Sequence, residues 1–303
     1  MTLGAYRILA FDGGGVRGVL SATLLKRLED SFPGLVEKAD LVAGTSIGSL
    51  IALALAFGLS PARLSEITST VDWGAVFRRK STGLVRPMCG GTYGIRAINS
   101  VFPPGLRLRD LSKRVLAISF RVTASDGGSW APVFFNNFPS SDTKDASVLD
   151  VALACTAVPT CFPSHRGYID GGVVANNPSV AALSAAVDPG LGGQSIQDVV
   201  LLSIGTGRIL YRIDADTTLW GAVQWALHPS PSTPLITLMV DGVSQCYTTF
   251  SRQILGERYY RLDPVLPEPV GPGDYKAVPK LLRWAEETDL SDAMSWVKRN
   301  WVG

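Results

Sequence analysis

Twice before residue 50 the chain runs an apolar, β-prone stretch into a glycine turn and leaves it at helical spacing. Tyr6 to Phe11 breaks at Asp12-Gly13-Gly14-Gly15, and Val19 to Leu28 then repeats its apolar residues with the period of a helix. Leu41 to Ala43 meets Gly44-Thr45-Ser46-Ile47-Gly48 and passes into a helix rich in Leu and Ala that ends near Gly58. Ser60-Pro61 places a cap and a first-turn proline at the start of another helix through Thr70. Strand–helix alternation of this kind predicts an α/β fold, a mostly parallel sheet with helices on both faces.

Further along, Arg114 to Thr123 and Ala131 to Asn136 read as strands joined by a hairpin turn at Ser125-Asp126-Gly127-Gly128-Ser129. A helix from Ser147 to Ala154 follows, then a short strand Gly167 to Ile169 that enters a third Asp-Gly-Gly at Asp170. Asn177-Pro178 opens another helix, and Asp198 to Ile204 is an apolar buried strand. The remainder, from Asp214, reads as mainly helical with one strand near Arg258 to Leu262. Residues 72–105 show weak periodicity and are expected to be irregular. No linker, repeat or low-complexity segment divides the 303 residues, so residues 1–303 are expected to form one domain.

Composition narrows the function. An apolar fraction of 46% with 18% charged residues fits a well-packed globular chain, and a net charge of +2 does not suggest a nucleic-acid binder. Cys89, Cys155, Cys161 and Cys246 lack CxxC spacing, which suggests neither a zinc site nor a disulfide framework; reduced thiols are expected. Leu41 to Ala62 is uncharged and long enough to span a membrane, but GTSIG interrupts it, and two buried elements joined by a sharp turn explain it better. Met1 to Arg7 lacks the plan of a secretory signal, so a cytoplasmic setting is expected, peripheral where membranes are met.

Three motifs carry chemistry. Gly44-Thr45-Ser46-Ile47-Gly48, between strand and helix, has the form of a nucleophile elbow, in which the serine hydroxyl is presented on a strained turn at a helix N-terminus. The competing reading is a small-residue turn between packed elements. Asp12-Gly13-Gly14-Gly15-Val16-Arg17-Gly18 literally fits the dinucleotide fingerprint, yet the acidic residue that fingerprint needs after the second strand is replaced by GTSIG. An oxyanion loop fits better, because contiguous glycines let amide N–H groups converge on an anion. A base is still required. His228 precedes a Pro-Ser-Pro loop, and His165 lies five residues before Asp170. A carboxylate can also accept a serine proton. Among Asp12, Asp126 and Asp170, spacing makes Asp170 the best candidate and leaves His165 open.

In this order and spacing, DGGGVRG, GTSIG, AVPTCFP, YIDGGVVANNP and the late SIGTG resemble the patatin-like phospholipases. The resemblance runs from about Arg7 to Arg208. It implies a three-layer α/β sandwich and a Ser–Asp dyad, with Ser46 as nucleophile, Asp170 as base, Gly13, Gly14 and Gly15 as oxyanion loop, and Arg17 helping to hold that loop. Gly44 and Gly48 complete the elbow. It further implies cleavage of acyl esters of phospholipids or related lipids, with no metal and no cofactor. An acyltransferase on the same acyl-enzyme and a catalytically idle lipid-binding module are the alternatives. Two regions bear on the lipid. Trp73, Phe77, Arg78, Arg79, Lys80 and Arg86 mix aromatic and basic residues as a transient membrane contact would, although a solvated loop has the same composition. Leu219, Val223, Leu227, Leu235, Leu238 and Val243 are candidates for an acyl channel or for plain core.

Overall fold

The computed structural model describes residues 4–83, 85–123 and 128–302. Its strands are β1 (Tyr6–Phe11), β2 (Leu41–Thr45), β3 (Arg114–Arg121), β4 (Ala131–Asn136), β5 (Tyr168–Asp170), β6 (Val199–Ile204) and β7 (Tyr259–Leu262). They form one sheet in the order β4-β3-β2-β1-β6-β7, with β5 also paired to β3. The run from β3 to β7 is parallel, whereas β4 and β5 lie antiparallel to β3. The turn around Asp126 lies outside the described residues.

Helices cover both faces. After β1 comes α1 (Gly18–Ser31); after β2 come α2 (Ile47–Phe57), α3 (Pro61–Thr70), α4 (Trp73–Val76) and α5 (Thr92–Val101). Next in the chain are α6 (Val148–Cys155), α7 (Gly172–Ala175), α8 (Ser179–Val187), α9 (Ala222–Ala226), α10 (Pro234–Leu255), α11 (Val278–Glu287) and α12 (Ser291–Asn300). The α3 start follows the expected chemistry, with the Ser60 hydroxyl accepting the Arg63 N–H at 3.2 Å ahead of Pro61. The central strands are apolar throughout because alternate residues enter different cores. Leu9, Phe11, Val42, Val115 and Leu202 join the α1, α2, α6 and α11 side, while Ile8, Ala10, Leu41, Leu116 and Leu201 join Ala182 and Leu183 of α8. The result is a three-layer sandwich.

One pairing detail creates the site. β2 and β5 share the same edge of β3 and approach each other end to end from opposite directions. Thr45, the last residue of β2, is opposite Ile118, and Asp170, the last of β5, is opposite the next residue, Ser119. Ser46 and Asp170 are therefore brought together by register, although 124 positions separate them in the chain.

Two expectations need correction. Residues 72–105 contain α4 and α5, and Trp73 and Phe77 are half-buried against the core instead of standing out as anchors. Leu219, Val223, Leu227, Leu235 and Leu238 are exposed and line neither a channel nor the core, while Val243 is half-buried. The helical period is present, but α10 turns a polar stripe inward. Asn177 Nδ2 donates to the Thr248 hydroxyl at 3.1 Å, and Ser251 is fully buried. Periodicity shows that a helix has two faces, not which one the neighbouring elements will take.

Candidate active site

Ser46 occupies the sharp turn between β2 and α2 with φ 55° and ψ −125°, a backbone conformation that L-residues rarely adopt. The flanking glycines are there for lack of room. A Cβ on Gly44 would stand 2.0 Å from the Gly48 carbonyl oxygen, and one on Gly48 would stand 2.1 Å from the Phe11 carbonyl oxygen. The turn is tied down by the Thr45 hydroxyl, which donates to the Ala175 carbonyl at 2.6 Å, and by the Ser49 hydroxyl, which donates to the Gly44 carbonyl at 2.8 Å. Strain at Ser46 is thus held by closed packing on both sides.

Asp170 is 4% exposed. Its Oδ1 accepts the Gly172 N–H at 2.7 Å, and its backbone N–H donates to the Ala157 carbonyl. Burial pushes its pKa up to about 6; the neighbouring Ser46 hydroxyl and the Gly172 N–H pull it the other way. Asp170 Oδ2 is buried with no partner among the described residues. A buried carboxylate with one oxygen free of donors, beside a serine hydroxyl, is chemically able to accept a proton.

The first glycine turn closes over the same point. The Gly13 N–H is already committed, donating to the Asn176 carbonyl at 3.0 Å, and the Gly13 carbonyl accepts the Thr206 hydroxyl at 3.0 Å. Among the described residues the N–H groups of Gly14 and Gly15 have no protein acceptor. Of the three glycines expected to form an oxyanion loop, these two have amides to offer. Arg17 Nη1 donates to the Gly207 carbonyl at 2.9 Å and so ties the turn to the end of β6. Beneath the turn, Asp12 forms a bidentate pair with Arg261 of β7 through Nη1–Oδ1 at 2.7 Å and Nη2–Oδ2. Arg261 also reaches Asp263 at 3.0 Å and the Ser203 hydroxyl at 2.7 Å. Burial works against the guanidinium charge, but Asp12 and Asp263 outweigh it and hold Arg261 charged. Arg261 was invisible to motif reading, since it lies beyond the last glycine motif in an otherwise ordinary short strand. Asn176 and Thr206, by contrast, stand inside the quoted YIDGGVVANNP and SIGTG runs.

The histidines go elsewhere. His165 Nε2 faces Asp150 Oδ1 at 2.8 Å, and His228 is bonded through Nδ1 to the Ser230 carbonyl at 2.9 Å. No group of three or more His, Cys, Asp or Glu among the described residues could hold a metal ion.

Ser46 opens into a cavity of about 220 Å³. Leu50, Ile51 and Ala54 of α2, Leu64 and Ile67 of α3, Ile98 and Val101 of α5, and Phe162 make its walls almost wholly apolar. Trp73, Val76 and Phe77 line it too, so the aromatic residues of the irregular stretch face inward, and Phe77 packs on Phe162 with ring centroids 5.5 Å apart. His165 reaches the cavity wall, but its ring is held by Asp150. No described helix is long and apolar enough to cross a membrane, and the uncharged stretch from Leu41 is divided between β2 and α2.

The chain is similar to known proteins over much of its length. The sequence model described as patatin-like phospholipase matches residues 9–183. CotR of Bacillus subtilis (strain 168) is 35% identical over 325 aligned positions, covering 98% of each chain. Protein teg of Priestia megaterium is also 35% identical, over 98% of this chain and 99% of its own. A cGAMP-activated phospholipase of Escherichia coli (strain TW11681) is 30% identical over 66% of this chain and 62% of its own. The chain belongs to the patatin-like phospholipase family, a family of hydrolases that act on lipid esters.

Proposed function

We propose that the protein hydrolyses fatty-acyl esters of phospholipids or related lipids through a Ser46–Asp170 dyad and an acyl-enzyme. The observation that supports this reading is the end-on meeting of β2 and β5, which brings Ser46, on the wall of an apolar cavity, near Asp170, whose Oδ2 has no partner among the described residues. Asp170 Oδ2 takes the hydroxyl proton as Ser46 Oγ attacks the ester carbonyl. The carbonyl π electrons move to oxygen, and the Gly14 and Gly15 amides donate to the resulting oxyanion. The tetrahedral intermediate collapses, the ester C–O bond breaks, and Asp170 returns the proton to the leaving alkoxide. Water then repeats the sequence. It loses a proton to Asp170, attacks the acyl carbon and releases the fatty acid, and Ser46 recovers its proton. The acyl chain lies in the cavity beside Leu50, Ile51, Ile98 and Phe162, where its apolar surface leaves water.

Labelling with a serine-directed fluorophosphonate, followed by peptide mapping and by measurement of fatty acid released from phosphatidylcholine, tests the reading. The expected adduct is on Ser46, with loss of lipase activity in step with labelling. An adduct on another serine, or full activity in protein labelled at Ser46, contradicts it.

A further inference from the structure

The cavity that receives Ser46 is roofed by a segment whose charges all have one sign. Between Trp73 and Arg96 the chain carries Arg78, Arg79, Lys80, Arg86 and Arg96 and no acidic residue. All five are exposed, and none forms an ion pair with a described residue. Exposed cations without an ion pair also occur elsewhere, Arg252, Lys276 and Lys298 among them; what sets this segment apart is five cations in succession with no acidic residue between them, whereas other basic residues have acidic neighbours. Lys26, Arg63, Arg109, Arg212 and Lys280 each meet a carboxylate within 4 Å. Three of the five have a contact that holds them in place. Arg78 and Arg96 lie over the Tyr93 ring at 5.5 and 5.6 Å, and the extended piece around Arg79 is held to Cys89 by a backbone bridge.

Apolar side chains stand among these charges. Val85 is 94% exposed, and Tyr93 and Ile95 are 37% and 39% exposed. Ile95 is at the same time part of the cavity wall, together with Gly91, Gly94 and Ala97. The mouth of the apolar cavity therefore opens beside Tyr93 and Arg96, inside the cationic segment.

We propose that this rim is the surface by which the protein docks on a bilayer containing anionic phospholipid, with the cavity mouth turned to the membrane. The proposal rests on the lipid-hydrolase reading for the use of the cavity, but binding is a separate property of the rim. Five unpaired cations complement the negative surface of such a bilayer, and their attraction acts within a Debye length. Isolated aliphatic and aromatic tips suit the headgroup boundary. An acidic protein or a nucleic acid would meet the same charge but would leave the exposed tips and the open apolar mouth without a role. On a bilayer, an acyl chain passes from lipid to cavity without crossing water.

The test is sedimentation of the protein with vesicles of phosphatidylcholine alone or of phosphatidylcholine with phosphatidylglycerol. The native protein is expected to prefer the anionic vesicles and to lose that preference in high salt. Lys80→Glu/Arg86→Glu should weaken binding to anionic vesicles at least about tenfold, and Val85→Ser should weaken it less. Both variants should hydrolyse a soluble short-chain ester at the native rate, which also shows that they are folded. Equal binding to both vesicle types by the native protein, or undiminished binding by the double variant, overturns the proposal. Because sedimentation needs no turnover, a protein that binds anionic vesicles yet hydrolyses no ester would refute the catalytic reading and leave the docking surface standing.

Discussion

Asp12 and Asp170 begin two Asp-Gly-Gly turns, both are buried, and both sit at strand ends on the edge of the same site. Their partners differ. Asp12 has a guanidinium across both oxygens, and its turn is thereby pinned to β7. Asp170 has a backbone N–H on one oxygen and no partner among the described residues on the other, with the Ser46 hydroxyl beside the carboxyl. Identical local sequence thus yields a buried ion pair in one place and an available proton acceptor in the other. On the proposed reading, the role is assigned by what the third dimension supplies, and the base is recognised by the donor it lacks.

Deleting the partner of each aspartate separates the two roles most widely. Ser46→Ala should reduce ester hydrolysis by about four orders of magnitude while the melting temperature changes little, because only the attacking atom is lost. Arg261→Met should do the reverse in character, destabilising the fold by about 3–5 kcal/mol because Asp12 and Asp263 are left buried without their cation. Denaturant melts and initial rates on both proteins check the contrast. A stable Arg261→Met protein would mean that the ion pair does not anchor the glycine turn.

Neutralising the aspartates themselves should move stability in opposite directions. Burial pushes Asp12 up to about 6 as well, against the pull of Arg261, but Asp12→Asn also leaves that guanidinium with one carboxylate and should cost up to about 3 kcal/mol. Asp170 has its folded pKa raised to about 6 by burial, so the folded state holds the proton more tightly than the unfolded one. Stability from that proton is full below the unfolded value of about 4 and is lost as pH rises through about 6. Asp170→Asn removes the loss and should stabilise the protein at pH 7 by up to about 3 kcal/mol, with little effect at pH 4. Thermal melts at the two pH values read it; equal or lower stability at pH 7 would contradict the buried, unpaired carboxylate.

The smallest effect is on the pH profile. Because Asp170 must be ionised to accept the serine proton, kcat/KM on a soluble ester should fall below about pH 6. An acid limb that stays flat to pH 4 would assign the proton to another group.

Local chemistry made much of this legible. A strand feeding a glycine turn feeding a helix is written in consecutive residues, so β1, β2, the elbow at Ser46 and the turn at Asp12 could be read with nearly correct bounds. What depended on long-range pairing could not. Spacing left Asp170 and His165 both open, and the preference for Asp170 proposed here rests on the β3 register together with Asp150 beside His165. The cavity wall from Trp73 to Val101 was unreadable because Gly91 and Gly94 interrupt its apolar pattern, and its burial comes from Phe162 and from α2. Gly13 could not be set apart from Gly14 and Gly15, since the Asn176 carbonyl that occupies its amide arrives from 163 positions away.

The most direct test of the central claim is the rate of soluble-ester hydrolysis by folded Asp170→Asn protein, measured beside His165→Gln. If Asp170 is the base, the asparagine variant falls to the level of Ser46→Ala, while His165→Gln stays within a few-fold of the native rate. An Asp170→Asn protein that keeps most of its activity, together with an inactive but folded His165→Gln protein, would contradict the dyad and place the proton on the imidazole.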